Sequence, residues 1–440
     1  MPAPKISSDL AVERLERGQE YRFEVDFDAR IDISLRSGHA EIFGTEITVG
    51  PTYSFTGAKG AVYSWQGCEL EIKGTPSASY ISDESPMMAY LNCHFALARL
   101  REEAGQSEAG GPRVLVIGPD DAGKTSLIKI LASYAIKQGH QPLLVNLDPR
   151  EGMSTVPGTL SAMPLTSVLD VVDGFGNATT TGMTELAPRI PLSYCFGSDS
   201  PTNNVKYYKL LMSRLASAAA SRATKDAAQR QGGMLIDSSG LIDQTKGYDL
   251  IQAAVSEFNV NVIITLDSER LYSDMSRKYD GKDGLSVLKL PKSGGVVGRD
   301  SAFVRGQQQA AFRKYFNGDA RQALSPFSLS VQFSDLKLKQ VEEAGVGVNH
   351  SLLPIGAEQQ TSSNAHVATC EPSSLLLHSM ITMVQAESHD SAEVVSQSSV
   401  LCHLVVTDVD DAKQKMTLLC PFQGRLPNKA LIATSFKFLD

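Results

Sequence analysis

A chain of 440 residues is too long for one ordinary hydrophobic core and predicts about two to three domains. Hydrophobic residues at 42% and charged residues at 20% fit a globular protein, and a net charge of −8 excludes a surface built for wholesale phosphate neutralisation. Any nucleic-acid contact is therefore expected in a local groove. No run of about 18 apolar residues occurs. The segment Met1-Pro-Ala-Pro-Lys5 lacks the apolar core of a signal peptide, which predicts a protein of the nucleocytoplasmic space.

From about Gln19 to Tyr90 the pattern is all-β. Tyr21-Arg-Phe-Glu-Val25 and Ile31-Asp-Ile-Ser-Leu35 alternate apolar and polar residues. Glu41–Gly44, Ala61–Trp65 and Leu70–Ile72 follow with Gly or Pro between them. Short strands at this spacing predict a small sandwich or barrel, with Trp65 in its core. A helix is expected over Leu91–Arg101. Glu102 to Pro112 then has linker composition, which sets domains at 1–101, 113–320 and 321–440 with a linker at 102–112.

The middle of the chain opens on the most informative stretch, Val114-Leu-Val-Ile-Gly-Pro-Asp-Asp-Ala-Gly-Lys-Thr-Ser126. An apolar strand runs into G-x-x-x-x-G-K-T, and an apolar helical pattern follows through Leu127, Ile130 and Leu131. Gly118 and Gly123 let the loop curl so that backbone N–H groups, those of Asp121, Ala122 and Ser126 among them, face one anionic centre. The helix start adds its positive end. Lys124 would reach the β- and γ-phosphates and Thr125 would ligate magnesium. A plain glycine turn is the bland alternative, and the ordered strand–loop–helix context favours a nucleoside triphosphate.

Strands are expected at Val114–Ile117, Leu143–Leu147, Met234–Ile236, Val262–Leu266 and Val287–Leu290. Helices are expected at Lys124–Lys137, Asn204–Ala220 and Tyr248–Phe258. This alternation predicts a doubly wound parallel sheet. Three strands end in an aspartate, Asp148, Asp237 and Asp267. Ligands bind off the carboxyl ends of such strands, so each is a candidate for the site or else a turn cap.

From about Pro326 strands return at Phe327–Phe333, Leu401–Asp408, Met416–Leu419 and Ala430–Phe438, interrupted by a helix near Ser373–Gln385. Gly356–Glu371 and Ala386–Gln397 are Ser-, Gln-, Thr- and Glu-rich and are expected as mobile loops. The six cysteines are scattered without a C-x-x-C, the usage of a reducing compartment. Cys402-His403 lies in an apolar run and reads as core rather than as metal ligand.

With these three modules in order, the chain resembles the polynucleotide 5′-hydroxyl-kinase family that includes the ATP-binding subunit of the pre-mRNA 3′-end cleavage and polyadenylation factor (cleavage factor IA), in its fungal form. The landmarks run in order along nearly the whole sequence. They include Ala40–Glu46, Tyr63–Cys68, Tyr90–His94, Leu147-Asp-Pro149, Val156-Pro-Gly158, Tyr207–Leu215, Leu290–Val297, Tyr315–Gly318 and Val405–Asp410. The resemblance implies an N-terminal β-sandwich, a central P-loop domain, a smaller C-terminal α/β domain, and ATP with Mg²⁺ as cofactors. It places Glu20 and Lys59 at the nucleoside end of ATP. There Glu20 could accept from the adenine amino group and Lys59 could donate to a ring nitrogen. Taken alone, each reads as a surface charge. Magnesium would be held by Thr125 and Asp148.

Active relatives carry an Asp-x-Gly-Gln pattern where this chain has Asp148-Pro-Arg-Glu-Gly152, so Arg150 and Glu151 replace a Gly-Gln pair. A tryptophan that can stack on a base is replaced by Leu241, and base stacking is worth about 1–3 kcal/mol. In the lid-like segment Val297–Gly306, Arg299 and Arg305 remain. Val304, Gln308 and Ala311, however, stand where relatives tend to have arginine, and losing an arginine finger costs roughly 10³–10⁵ in rate. These departures favour ATP binding without efficient turnover, and the resemblance implies a nuclear scaffold. Its implied partners are a larger cleavage-factor subunit that reads the RNA polymerase II tail and other cleavage and polyadenylation subunits, with weak RNA contact and no membrane. The alternative is an active RNA 5′-hydroxyl kinase working through Asp148, Lys124 and Arg299.

Overall fold

The structure is a computed structural model and describes residues 4–107, 109–175, 191–240, 246–319, 322–341 and 366–439. The chain sorts into two compact units, Met1–Val145 with Pro164–Gly176 and Ala219–Gln307, and Asn146–Met163 with Asn177–Ala218 and Gln308–Asp440.

The first unit begins with nine strands: β1 (Leu10–Leu15), β2 (Glu20–Val25), β3 (Ile31–Gly38), β4 (Ala40–Ile42), β5 (Thr45–Ile47), β6 (Thr52–Phe55), β7 (Ala58–Tyr63), β8 (Cys68–Lys73) and β9 (Ala78–Ser82). They form a four-stranded sheet, β1-β8-β3-β6, and a five-stranded sheet, β5-β4-β7-β2-β9. Alternation dictates the arrangement. Tyr21, Phe23 and Val25 of β2 and Ile31, Ile33 and Leu35 of β3 share one buried cluster. Trp65 is not in that core. It is half-buried and meets Tyr63 edge-on at 4.8 Å, and its indole lies near enough to Glu41 to favour the charged carboxylate. A ring with one polar N–H sits best where that group finds an acceptor.

Helix α1 (Met87–Ser107) is longer than expected and runs through the first half of the stretch read as linker. The P-loop layer follows with β10 (Arg113–Ile117), α2 (Lys124–Lys137), β11 (Leu143–Asn146) and the pair β12 (Thr159–Pro164) and β13 (Leu192–Cys195), which is antiparallel and belongs largely to the second unit. Then come α3 (Val205–Lys225), α4 (Ala227–Gly232), β14 (Met234–Asp237), α5 (Gly247–Glu257), β15 (Val262–Leu266), α6 (Glu269–Tyr279), β16 (Ser286–Leu290) and α7 (Ser301–Asn317). In the first unit the strand order is β11-β14-β10-β15-β16, and β10 pairs parallel with both β14 and β15. β10 is central and buried on both faces, which is why it reads as an unbroken apolar run.

Helix α2 carries the P-loop into the N-terminal sandwich. The Ser133 hydroxyl lies 3.1 Å from that of Thr45, and the Tyr134 hydroxyl donates to the buried Glu41 carboxylate. A Cβ on Gly44 would come within 3.1 Å of the Ile130 backbone, so the helix passes close by. Burial pushes the Glu41 carboxyl above its ordinary range.

The second unit ends in β17 (Phe327–Gln332), β18 (Leu338–Val341), β19 (Val367–Cys370), β20 (Ser379–Glu387), helix α8 (Ala392–Ser396), β21 (Val400–Asp410), β22 (Lys415–Cys420) and β23 (Lys429–Lys437). One sheet orders them β17-β22-β21-β20-β23-β18-β19. Two expectations are corrected here. The helix expected near Ser373–Gln385 is the strand β20, buried between β21 and β23, because a continuous apolar run suits a central strand as well as a helix. Ala386–Gln397 is not a loop throughout, since the Ser391 side chain caps α8 by accepting from the Val394 N–H. Of Gly356–Glu371, only 366–371 lie among the described residues, and Val367–Cys370 is a strand. Cys402 and His403 are buried, and burial pushes the His403 imidazole down to about 3.

Candidate functional site

The P-loop is shaped by positions that only certain residues fit. A Cβ on Gly118 would sit 2.8 Å from the Leu266 carbonyl oxygen, so β15 leaves no room for a side chain. Gly123 precedes α2 at φ +85°, a left-handed conformation that glycine adopts without cost. Between them Asp121 takes φ +53°, unusual for a residue with a side chain. Its carboxylate holds the conformation from outside the loop: Oδ1 accepts from Arg299 Nε at 2.6 Å and Oδ2 from the Arg299 backbone N–H at 2.8 Å. Ala122 and Lys124 are buried, and Ser126 is half-buried. Lys124 Nζ donates to the Pro119 carbonyl at 2.8 Å, so the cation closes over its own loop.

Thr125 Oγ1 donates to Asp237 Oδ2 at 2.6 Å. Of the three strand-end aspartates, Asp237 is the one bonded to Thr125, because β14 pairs with β10 in the register Val116↔Asp237. Asp267 bonds instead to Lys292. Among the described residues no group of three or more His, Cys, Asp or Glu could hold a metal ion. A hydroxyl and a carboxylate side by side are the oxygen donors that magnesium takes when phosphates and water complete its shell.

The lid segment and the residue before it lean on the same loop. Val296 packs over Gly123, where a Cβ would lie 2.9 Å from its Cγ2. Lys59 Nζ donates to the Gly298 carbonyl at 3.3 Å and stands 4.9 Å from the Phe303 ring centre. Phe303 in turn meets Phe27 of the sandwich at 5.3 Å. The lid is thus braced from both the P-loop and the N-terminal module. Arg305 bonds back to Ser301 on its own helix, and Val304 is buried.

Glu20 and Lys59 share one face of the β2–β7 ladder. Register places Glu20 opposite Tyr63 and Lys59 opposite Glu24, four residues or about 13 Å apart along the strands. Lys59 forms an ion pair with Glu24 at 2.8 Å. Glu20 is buried, and its Oε1 accepts from Arg22 Nη2 at 2.6 Å. Arg22 lies between the two on the same face and was passed over by sequence reasoning. Its position in the alternation of β2 was the available signal.

In the second unit, Asp148 Oδ1 accepts from the Arg150 N–H at 2.9 Å, a turn closed on itself. Gln308 Nε2 donates to the Arg150 carbonyl at 3.0 Å, so two of the departures from the kinase pattern bond to each other. Gly152 at φ +60° completes the turn. Leu241 lies outside the described residues.

Three family matches tile the chain in order. Residues 14–104 match the N-terminal β-sandwich domain of polyadenylation factor, 118–318 match mRNA cleavage and polyadenylation factor CLP1 P-loop, and 324–440 match pre-mRNA cleavage complex II protein Clp1. The mRNA cleavage and polyadenylation factor clp1 of Botryotinia fuckeliana is 41% identical over 98% of this chain and 94% of that protein. Its counterpart in Phaeosphaeria nodorum is 42% identical over 95% and 91%. Two solved structures cover 99% of the chain with TM-scores of 0.87, at 28% and 27% identity, and cover 99% and 100% of their own chains. The first is a complex of wild-type Clp1p with Pcf11p (454–563). The second describes an extended interface between Pcf11p and Clp1p and the structural basis for ATP loss in a Gly135Arg point mutant. The chain belongs to the Clp1 family of mRNA cleavage and polyadenylation factors.

Proposed function

Starting from that membership, we propose that the protein is an ATP-binding scaffold subunit of the nuclear pre-mRNA 3′-end cleavage and polyadenylation complex, holding ATP with magnesium without efficient turnover. The observation that carries this is the bracing of the P-loop. Helix α2 is bonded to the sandwich through Ser133 and Tyr134, and the loop is tied to the lid through Asp121 and Arg299. A nucleotide on this loop would bind a joint between modules. A ligand that binds only the native state stabilises it by about 2.7 kcal/mol at a hundred times its dissociation constant.

Bound ATP would supply a polyanion that the loop N–H groups and the α2 start neutralise. Lys124 would leave the Pro119 carbonyl for phosphate oxygens. Thr125 would direct its oxygen to magnesium, with Asp237 beside it. Glu20 and Lys59 would face the nucleoside. In the segment where the kinase pattern has Gly-Gln, this chain has Arg150 and Glu151, and the Arg150 carbonyl takes the Gln308 amide, which supports binding without transfer. The relatives in complex with Pcf11p support a partner of the same kind, the larger cleavage-factor subunit.

Purification without added nucleotide, followed by mass analysis of what is released on denaturation, tests the reading. Stoichiometric ATP is expected, and an empty protein with no ATP affinity would end it. The RNA 5′-kinase alternative is tested with γ-labelled ATP and 5′-hydroxyl RNA. Label transfer that disappears in Lys124→Ala would favour it.

A further inference from the structure

We propose that Asp121 is a positioning residue of the lid, forming with Arg299 a latch that couples closure of the lid to retention of the nucleotide. The proposal rests on the nucleotide-site reading above and deepens it.

The latch has two points of contact. Asp121 Oδ1 accepts from Arg299 Nε at 2.6 Å, and Oδ2 accepts from the Arg299 backbone N–H at 2.8 Å. A carboxylate that takes a side-chain and a main-chain donor from one residue fixes the lid backbone as well as the guanidinium. Both side chains are only 21% exposed, so salt screens the pair less than it would a surface pair.

The place of the carboxylate separates this contact from a simple strut. Asp121 stands inside the loop whose backbone N–H groups face one anionic centre, and it takes φ +53° there. A negative side chain at that place opposes a polyphosphate unless a cation offsets it. The neighbouring carboxylate, Asp120, lies against Gly240 instead.

The lid is seated on both sides of Arg299. Before it, the Gly298 carbonyl accepts from Lys59 Nζ at 3.3 Å. After it, Asp300 Oδ1 accepts from the Phe303 N–H at 2.7 Å as α7 begins. Opening the lid would carry Arg299 away from Asp121, leave the carboxylate charge facing the phosphates without that offset, and weaken their binding. By linkage, a bound triphosphate holds the lid closed. Nucleotide exchange is then gated by the latch as well as by the phosphate loop.

The full-length protein is loaded with radiolabelled ATP and magnesium and chased with unlabelled ATP. The release rate is read in a cycle of wild type, Asp121→Asn, Arg299→Gln and the double variant. Arg299→Gln is expected to speed release by about tenfold or more, because the carboxylate then faces the phosphates alone. In the Asp121→Asn background the same substitution should speed release by about threefold or less, since no charge remains to be offset. Direct contact of Arg299 with phosphate would give the same factor with or without the carboxylate. An equal or larger factor in the Asp121→Asn background, or no acceleration in Arg299→Gln at all, overturns the proposal. If Asp121→Asn does not fold, Asp121→Gly replaces it in the cycle, because glycine adopts φ +53° without cost. A wild type with no ATP affinity would bring down the underlying site, a result distinct from bound ATP whose release the cycle shows to be uncoupled.

Discussion

The turn from Gly118 to Ser126 and the turn from Asp148 to Gly152 both follow strands of a parallel sheet, and both are organised by an aspartate. They do opposite things with it. Asp121 reaches out of its turn to Arg299, which leaves the curl of backbone N–H groups around Gly123 as a cradle. Asp148 turns inward onto the Arg150 N–H, and Gln308 takes the Arg150 carbonyl. A turn built to receive a ligand keeps its polar groups directed at a common point, whereas a turn that bonds to itself has no such demand. The contrast separates a turn that keeps its N–H groups directed at one point from a turn whose polar groups bond to their own neighbours.

Removing the cradle should have the largest effect. Lys124→Ala with Thr125→Ala deletes the phosphate cation and the magnesium hydroxyl together, and ATP affinity should fall by at least about 100-fold. Retained stoichiometric ATP in that variant would break the contrast. Opening the other turn sharpens it. Wild type should give no measurable transfer of γ-phosphate to 5′-hydroxyl RNA. Arg150→Gly, Glu151→Gln and Gln308→Arg combined should be the place where any activity first appears. Transfer by the wild-type protein at rates typical of kinases, about 1–100 per second, would show the second turn to be open.

A smaller loss is expected at the conformation itself. Gly123→Ala places a side chain at φ +85° and against Val296, which should cost about 1–3 kcal/mol of stability and weaken ATP binding. Calorimetric unfolding with and without ATP separates the two. Tyr134→Phe should cost about 1–3 kcal/mol by leaving the buried Glu41 short of a donor, with a modest change in ATP affinity. An unchanged melting temperature would show that this bond does not brace α2.

The mildest test compares the interiors of the two units. Burial pushes His94 down to about 4 and His403 down to about 3, both from an ordinary 6.5. Both are neutral in the folded and unfolded states above pH 6.5. As pH falls from 6.5 towards 4, the unfolded chain takes up protons that the folded chain refuses, so stability falls over that window. Replacing His403 by Gln should flatten that slope in denaturant titrations, and an unchanged slope would place the proton uptake elsewhere.

The P-loop was legible because its chemistry is contiguous. Glycines, lysine and threonine act within nine residues, and the flanking strand and helix announce themselves by period. Strands β2, β3, β4, β7 and β8 of the sandwich were legible for the same reason, since alternation is a local signal, whereas β1, β5, β6 and β9 were not read. Composition misled at Ala386–Gln397, where a short capped helix hides in polar sequence, and periodicity misled at β20, where burial on both faces removes alternation.

What only the tertiary structure decided are the long-range pairs. Thr125 finds Asp237 across 112 positions because two parallel strands lie side by side. Arg299 finds Asp121 across 178 because the lid returns to the loop. Arg22 stands beside Gly295 because the sandwich meets the segment that leads into the lid there. A sequence states which residues a strand or turn will hold and in what order. Which strand ends adjoin is set by how buried faces pack, and hydrophobic burial is non-directional, so no local pattern announces the polar partners it brings together.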